Sequence, residues 1–426
     1  MNAYAVVILI ALIAEFVLDG VSQILTMRRW RGRLPLEFRG WIDPKTARRS
    51  RQYARTLTRF GLAISSFELA LLLVFWLSGG FNALDRIVRE WGLPPVLTGL
   101  AFIAILMLLH FILVLPFDWY ATFGIEARFG FNRTSRSTFV KDILKTLALF
   151  TVIGGPLLAG LLAFFQVAGP RGWLAAWGGV AVFMLLAHFA VPAWILPLFN
   201  RFTPLEDGRR KKAVIRYARY VSYPLAGVFV MDGSRRTTKS NAFLAGFGKR
   251  RRVALYDTLI KSLSASELVT VLAHEIGHHK MKHVSIGLGL GVLHAGFLLF
   301  LLSQFLSRPG LFKAFFMEHM SVYAGMLFFG LLASPLEFVF SIGSHALSRQ
   351  NEFQADSFAV RTTRKSEAFI TALKKLSVQH LINLRPHPFD VFLHFAHPPV
   401  LERIRRIRRL RPVKSEIAFR TKKEAA

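Results

Sequence analysis

Seven stretches of this chain, at about residues 3–26, 61–80, 96–116, 143–167, 173–199, 285–306 and 321–346, are apolar over nearly the length needed to cross a bilayer. In lipid such a segment must satisfy its backbone internally, so each reads as a transmembrane helix and the chain as a mainly α, polytopic membrane protein. A composition of 53% hydrophobic residues, with 40 Phe and a mean hydropathy of +0.41, excludes a soluble domain of this length. The first run lacks a basic n-region and a small-residue cleavage site, so it is expected to stay as a span and not to be removed as a signal peptide.

The net charge of +30 would suit a nucleic-acid binder, but its distribution follows the spans. Arg and Lys crowd residues 27–59, 200–284 and 347–426, whereas the connections at 81–95, 168–172 and 307–320 carry few charges. The positive-inside rule then puts the N-terminus outside and the 27–59, 117–142 and 200–284 loops and the C-terminal tail in the cytoplasm. Topology and anionic headgroups account for the basic residues, so no nucleic-acid partner is expected. Residues 27–59 and the tail after 405 read as membrane-surface segments with flexible ends. The sequon Asn132-Arg133-Thr134 falls in a cytoplasmic loop and should carry no glycan. Four segments follow: residues 1–199 with spans one to five, 200–284 cytoplasmic, 285–346 with spans six and seven, and 347–426 cytoplasmic.

The cytoplasmic segment before the sixth span holds His274-Glu275-Ile276-Gly277-His278. On a helix two histidines at i and i+4 share a face, where they can bind one Zn²⁺ while the glutamate between them activates water for hydrolysis. Ser264 with Glu267 forms a capping-box pair, and Leu268, Val271 and Leu272 recur at helical spacing, predicting one helix over 265 to about 283. Two satisfied histidines in an ordinary helix are the competing reading. Upstream, Asn241–Leu244 and Arg252–Tyr256 read as strands joined by the turn Gly246-Phe247-Gly248-Lys249, a hairpin whose edge could hold an extended peptide.

Zero Cys excludes disulfides and thiolate ligands, so a metal here is held by His and carboxylates. The third ligand is expected just past the seventh span, where Glu352 and Asp356 stand at i and i+4. If spans six and seven form an antiparallel hairpin, Glu352 returns to the membrane face that the His pair leaves. Asp356 would then accept the free N–H of a ligand imidazole and fix its tautomer. A solvated helix end is the alternative for both acids.

Other polar residues carry less. Glu15, Glu68, His110, His188, His294, Glu337 and His345 lie in or near spans, where ionisable groups mark a cavity or an ion pathway. Pro335 reads as a kink. His279 and His283 point away from the ligand face of a continuous helix. Leu205-Glu206-Asp207-Gly208 could be taken for the distant ligand motif of a site-2-type intramembrane protease, but it lies in a basic loop and not in a span. A seven-helix transporter or receptor without catalytic zinc is the rival from another class.

Together, His274–His278, Ser348-Arg349-Gln350-Asn351-Glu352-Phe353-Gln354-Ala355-Asp356, Ser240-Asn241-Ala242-Phe243, Ala396-His397-Pro398-Pro399 with Arg403-Ile404, Phe123-Gly124-Ile125-Glu126 and Phe129-Gly130-Phe131-Asn132 resemble the type I CAAX prenyl endopeptidases. The resemblance spans essentially the whole chain. It implies seven helices around a water-filled intramembrane chamber with a zinc site at its cytoplasmic end, and one Zn²⁺ per chain held by His274, His278 and Glu352. It further implies Glu275 as general base, His397 near the scissile carbonyl, and Asn241 and Ala242 on a substrate-pairing strand. The implied substrate is a prenylated Cys-a-a-X protein or another membrane-associated peptide. His279 departs from the family pattern, which often has an aromatic there. A monomer is expected. The final Lys422-Lys423-Glu424-Ala425-Ala426 does not place lysines as an endoplasmic-reticulum dilysine signal would, which favours a bacterial inner membrane over the endoplasmic reticulum.

Overall fold

The computed structural model describes residues 1–29, 34–168, 172–245 and 251–410. The first half is made of α1 (Ala3–Arg29), α2 (Pro44–Leu77), α3 (Pro95–Glu126), α4 (Arg136–Val167) and α5 (Gly172–Phe199). Then come β1 (Phe202–Pro204), α6 (Arg209–Tyr220), β2 (Gly227–Met231), β3 (Ala242–Ala245), β4 (Arg252–Tyr256) and α7 (Ala265–Lys280). The chain continues through α8 (His283–Phe305), α9 (Val322–Leu332), α10 (Ser334–Thr363), α11 (Ser366–Gln379), α12 (Pro388–His394) and α13 (Val400–Arg409).

Helices α1 to α5 and α8 are each long and apolar enough to cross a membrane, and α9 with α10 makes a seventh crossing bent by 54°. The bend has a local cause. Pro335 sits in the first turn of α10, where its missing N–H is harmless, but its ring prevents the helix of α9 from running straight on. In α1 to α5 and α8 no more than 17% of the apolar window is buried. A solid bundle would bury its inner faces, so these helices enclose space.

Ionisable residues within the spans meet one another across helices. Glu68 faces His110 at 3.6 Å and Glu337 faces His294 at 3.4 Å, the latter imidazole stacked on Phe340 at 3.6 Å. At one end Trp76, Phe81, Phe315 and Phe328 pack into an aromatic core. At the other, Leu268, Leu272 and Ile276 of α7 pack with Val228, Val253 and Leu255 of the sheet and with Ile404 and Ile407 of α13.

The sheet order is β1-β2-β4-β3, with β2 and β4 parallel and the outer pairs antiparallel. Strand β3 is therefore a free edge, as the sequence predicts, although it starts at Ala242, one residue later than expected. The expected turn at 246–249 lies outside the described residues.

Two expectations need correction. Residues 44–59 are not a segment separate from the second span. They are the first turns of α2, started by Asp43, whose carboxylate accepts the N–H groups of Lys45 and Thr46, and by Pro44 at N1. Nor does the motif helix run to 283. It stops at Lys280, and Lys282 in the left-handed region (φ 60°) turns the chain before α8 begins at His283.

Candidate metal centre

The helix that carries the motif is fixed at its start. Ser264 Oγ accepts the Glu267 N–H, Glu267 Oε2 accepts the Ser264 N–H at 2.8 Å, and Lys375 reaches the same carboxylate at 2.8 Å. Along this helix Gly277 permits the close approach of α10. A Cβ there would stand 3.2 Å from Ala355 Cα, a backbone atom that cannot swing aside. Glycine at 277 and a fully buried alanine at 355 thus bring the His pair against Glu352 and Asp356.

The three expected ligands meet. His274 Nε2 and His278 Nε2 are 3.2 Å apart, His278 Nε2 is 3.3 Å from Glu352 Oε1, and His274 Nε2 is 3.4 Å from Glu352 Oε2. Bonds of about 2.0–2.1 Å to a tetrahedral ion require ligand atoms about 3.3–3.4 Å apart, so the spacing fits a small dication. Glu352 is buried, and its Oε2 has Arg403 Nη1 3.2 Å away as an ion-pair partner. With the Arg403 guanidinium and His274 beside it, the carboxylate is held as an anion, the form a metal ligand must take. Among the described residues this is the only cluster of its kind.

Around these ligands the hydrogen bonds are directional. His274 Nδ1 donates to Asp356 Oδ1 at 2.9 Å, leaving Nε2 bare for a metal. Asp356 is buried and held by Arg403 through Nε to Oδ2 at 2.9 Å and Nη2 to Oδ1 at 2.6 Å. Burial opposes protonation of His274, but the hydrogen bonds to Asp356 and Glu352 outweigh it and push its pKa up to about 9, so metal uptake displaces a proton. Glu275 is half-buried and makes no hydrogen bond among the described residues; burial raises its pKa, as suits a proton acceptor working near neutrality.

His397 joins the cluster by its Nδ1, 2.8 Å from Glu352 Oε1, with the side chain 72% exposed. Its loop is gripped by Arg349, whose Nη1 donates to the carbonyls of Val391 and Phe395 at 3.0 and 2.7 Å. The edge strand is anchored just before Asn241. Lys239 Nζ meets Glu126 at 3.1 Å and the Tyr53 hydroxyl at 2.9 Å, and the Ser240 N–H donates to His380 Nε2 at 2.9 Å. Burial lowers the pKa of His380 to about 4, with Lys239 adding to it, so the ring stays a neutral acceptor.

His279 stands apart, its ring edge-on to Tyr223. His283 does not. It stays outside the ligand cluster, as expected, but the count along a continuous helix does not hold, because Lys282 breaks the helix and His283 Nδ1 lies 3.0 Å from His278 Nδ1. Asp207 is 89% exposed and pairs with Lys211, so the site-2-type alternative has no ligand there. His345 bonds the Leu393 carbonyl at 2.8 Å, and neither it nor His110, His188, His294, Glu15, Glu68 or Glu337 joins the cluster.

A His-Glu-x-x-His helix and a distant glutamate, set at the end of a seven-span hollow bundle, define a polytopic membrane metallopeptidase. Residues 204–411 match the family model described as peptidase family M48, and residues 23–201 match the one described as CAAX prenyl protease N-terminal, five membrane helices. The chain belongs to this family. It is 35% identical to the CAAX prenyl protease 1 homolog of Arabidopsis thaliana over 338 residues, 78% of each chain. With CAAX prenyl protease 1 of Saccharomyces cerevisiae it shares 32% over 403 residues, 87% of this chain and 88% of that one. The crystal structure of S. mikatae Ste24p superposes with a TM-score of 0.91 at 28% identity, covering 96% of this chain and 99% of that one.

Proposed function

We propose that His274, His278 and Glu352 hold one Zn²⁺ and that the chain hydrolyses peptide bonds near the C-terminus of prenylated Cys-a-a-X proteins or other membrane-associated peptides. The observation that carries the reading is the meeting of two imidazole nitrogens, 3.2 Å apart, with the buried Glu352 carboxylate, one of whose oxygens lies 3.3 Å from His278 and the other 3.4 Å from His274. Zinc bound there supplies Lewis acidity, lowering the pKa of water and withdrawing charge from the substrate carbonyl. Glu275 takes the proton of the attacking water and returns it to the leaving amine. The imidazolium form of His397, the one form with a hydrogen on both ring nitrogens, donates from Nε2 to the developing oxyanion while its Nδ1–H stays on Glu352.

Substrate backbone is held by β3. The Asn241 carbonyl accepts the Tyr256 N–H at 3.0 Å, and the register pairs Ala242 with Leu255. In an antiparallel ladder the next residue faces the other way, so the Ala242 N–H and C=O face the free edge. The Asn241 Oδ1 covers that N–H at 2.8 Å until a peptide replaces it. The hollow between the spans accommodates a lipid chain or an extended peptide.

This reading takes the chain as a monomer in four segments, 1–199, 200–284, 285–346 and 347–426, with the metal centre on the cytoplasmic face. It takes the membrane to be a bacterial inner membrane, with the endoplasmic reticulum membrane as the alternative. Metal analysis of the detergent-purified protein tests the core of the proposal. We expect close to one zinc per chain, removed by chelator together with cleavage of a farnesylated Cys-a-a-X peptide. Protein that transports a solute yet holds no zinc and cleaves nothing would favour the transporter reading instead.

A further inference from the structure

The break between α7 and α8 returns His283 to the metal centre. Lys282 in the left-handed region lets the first residue of the sixth span fold back on the turn before it, and His283 is buried there. Its Nδ1 lies 3.0 Å from Nδ1 of His278, and its Nε2 lies 3.0 Å from Oε1 of Gln354, two residues beyond Glu352. Nothing in the peptidase chemistry derived above uses His283 or Gln354.

We infer that His283 and Gln354 form a relay that fixes the tautomer and ring orientation of His278, as Asp356 does for His274. The inference rests on the reading of His278 as a metal ligand through Nε2. One proton assignment satisfies every contact. With Nε2 of His278 bare towards a metal, its Nδ1 carries the hydrogen and donates. Nδ1 of His283 must then be the acceptor, so the hydrogen of that neutral ring sits on Nε2 and needs an acceptor in turn. The amide oxygen of Gln354 provides it. The opposite assignment puts a hydrogen on Nε2 of His278 and abolishes metal binding.

The two histidine ligands are thus oriented by different chemistry. His274 is backed by a carboxylate and an arginine, His278 by a neutral chain of imidazole and amide. Both chains draw on α10, the helix that also carries Glu352: Asp356 for His274 and Gln354 for His278. His283 is a positioning residue, and it ties the ligand to the start of a membrane-spanning helix.

Removing such an outer partner characteristically costs about 10–100-fold in metal affinity. The experiment measures zinc affinity of the full-length apo-protein in detergent by chelator competition, alongside the visible spectrum of the cobalt(II)-loaded form. His283→Phe keeps a ring but has no acceptor, and we expect a 10–100-fold loss of affinity with an altered cobalt spectrum. His283→Gln restores an acceptor oxygen and should recover most of the loss, which a space-filling role would not do. Gln354 is exposed, so Gln354→Leu and Gln354→Lys are tolerable for the fold. The lysine offers only donors and should weaken zinc binding more than the leucine. Zinc affinity unchanged in His283→Phe, or equal in the two Gln354 variants, would overturn the relay. His278→Ala separates the two claims: if it still binds zinc, the ligand reading fails, whereas if it loses zinc while His283→Phe does not, only the relay fails.

Discussion

Replacing Ala242 with proline tests the substrate strand without touching the metal centre. In the β3–β4 ladder Asn241 bonds Tyr256, and Phe243 pairs with Ala254 in the same phase two residues on. Ala242 lies between them, so its N–H belongs to the free edge and proline there removes no bond of the sheet. What it removes is one donor to bound peptide. A hydrogen bond is worth about 1–2 kcal/mol where the partner is left confined and unpaired, which is roughly 5–30-fold in rate. Misplacement of the scissile bond adds to this, so kcat/KM for peptide cleavage should fall tenfold or more. Metal content and thermal midpoint should stay near wild type. Phe243→Pro is the contrasting control: it deletes an inward donor of the ladder and should lower stability as well. An Ala242→Pro enzyme that holds zinc and cleaves at the wild-type rate would refute the edge-strand role and turn attention to α10 as the substrate platform.

Glu352→Ala should lose most bound metal, whereas Glu275→Gln should keep it and lose hydrolysis by about 10²–10⁴-fold; full metal and full activity in Glu352→Ala would remove the third ligand from the scheme. Arg403→Met leaves Asp356 buried without its cation and should cost about 3–5 kcal/mol, read from denaturation midpoints and partly restored by adding Asp356→Asn. His380 has a folded pKa of about 4 against about 6.5 unfolded. The unfolded chain binds more protons in that window, so stability falls as pH drops from about 6.5 to 4, by up to about 3 kcal/mol, and His380→Gln should flatten this slope. Single cysteines placed at Arg308 and Asp207, both exposed, should report opposite sides of the membrane: the first labelled from outside by an impermeant thiol reagent, the second only after permeabilisation. Labelling of both in intact cells would contradict the topology.

The features legible in the sequence were those governed by period or by spacing. Apolar runs declare spans because a helix in lipid admits few polar residues, and His274 with His278 declares a metal face because i and i+4 coincide on any helix. Glu352 was legible through topology, since the return of the seventh span brings it to the surface that the His pair leaves. Pro335 announced its bend for the same local reason. That His283 is no ligand follows from this logic, but its contact with His278 does not. Counting 100° per residue presumes an unbroken helix, and the count fails at Lys282, whose left-handed backbone has no composition signal, lysine being an ordinary helix former. Arg349 and Lys239 were hidden differently. Each acts on backbone or on a side chain far away in sequence, Arg349 on the carbonyls of Val391 and Phe395, Lys239 on Glu126 and Tyr53. In a chain with 55 Lys and Arg against 25 Asp and Glu, a basic residue reads first as topology. What distinguishes these two is a specific acceptor distant in sequence, a tertiary property that a one-dimensional pattern does not carry.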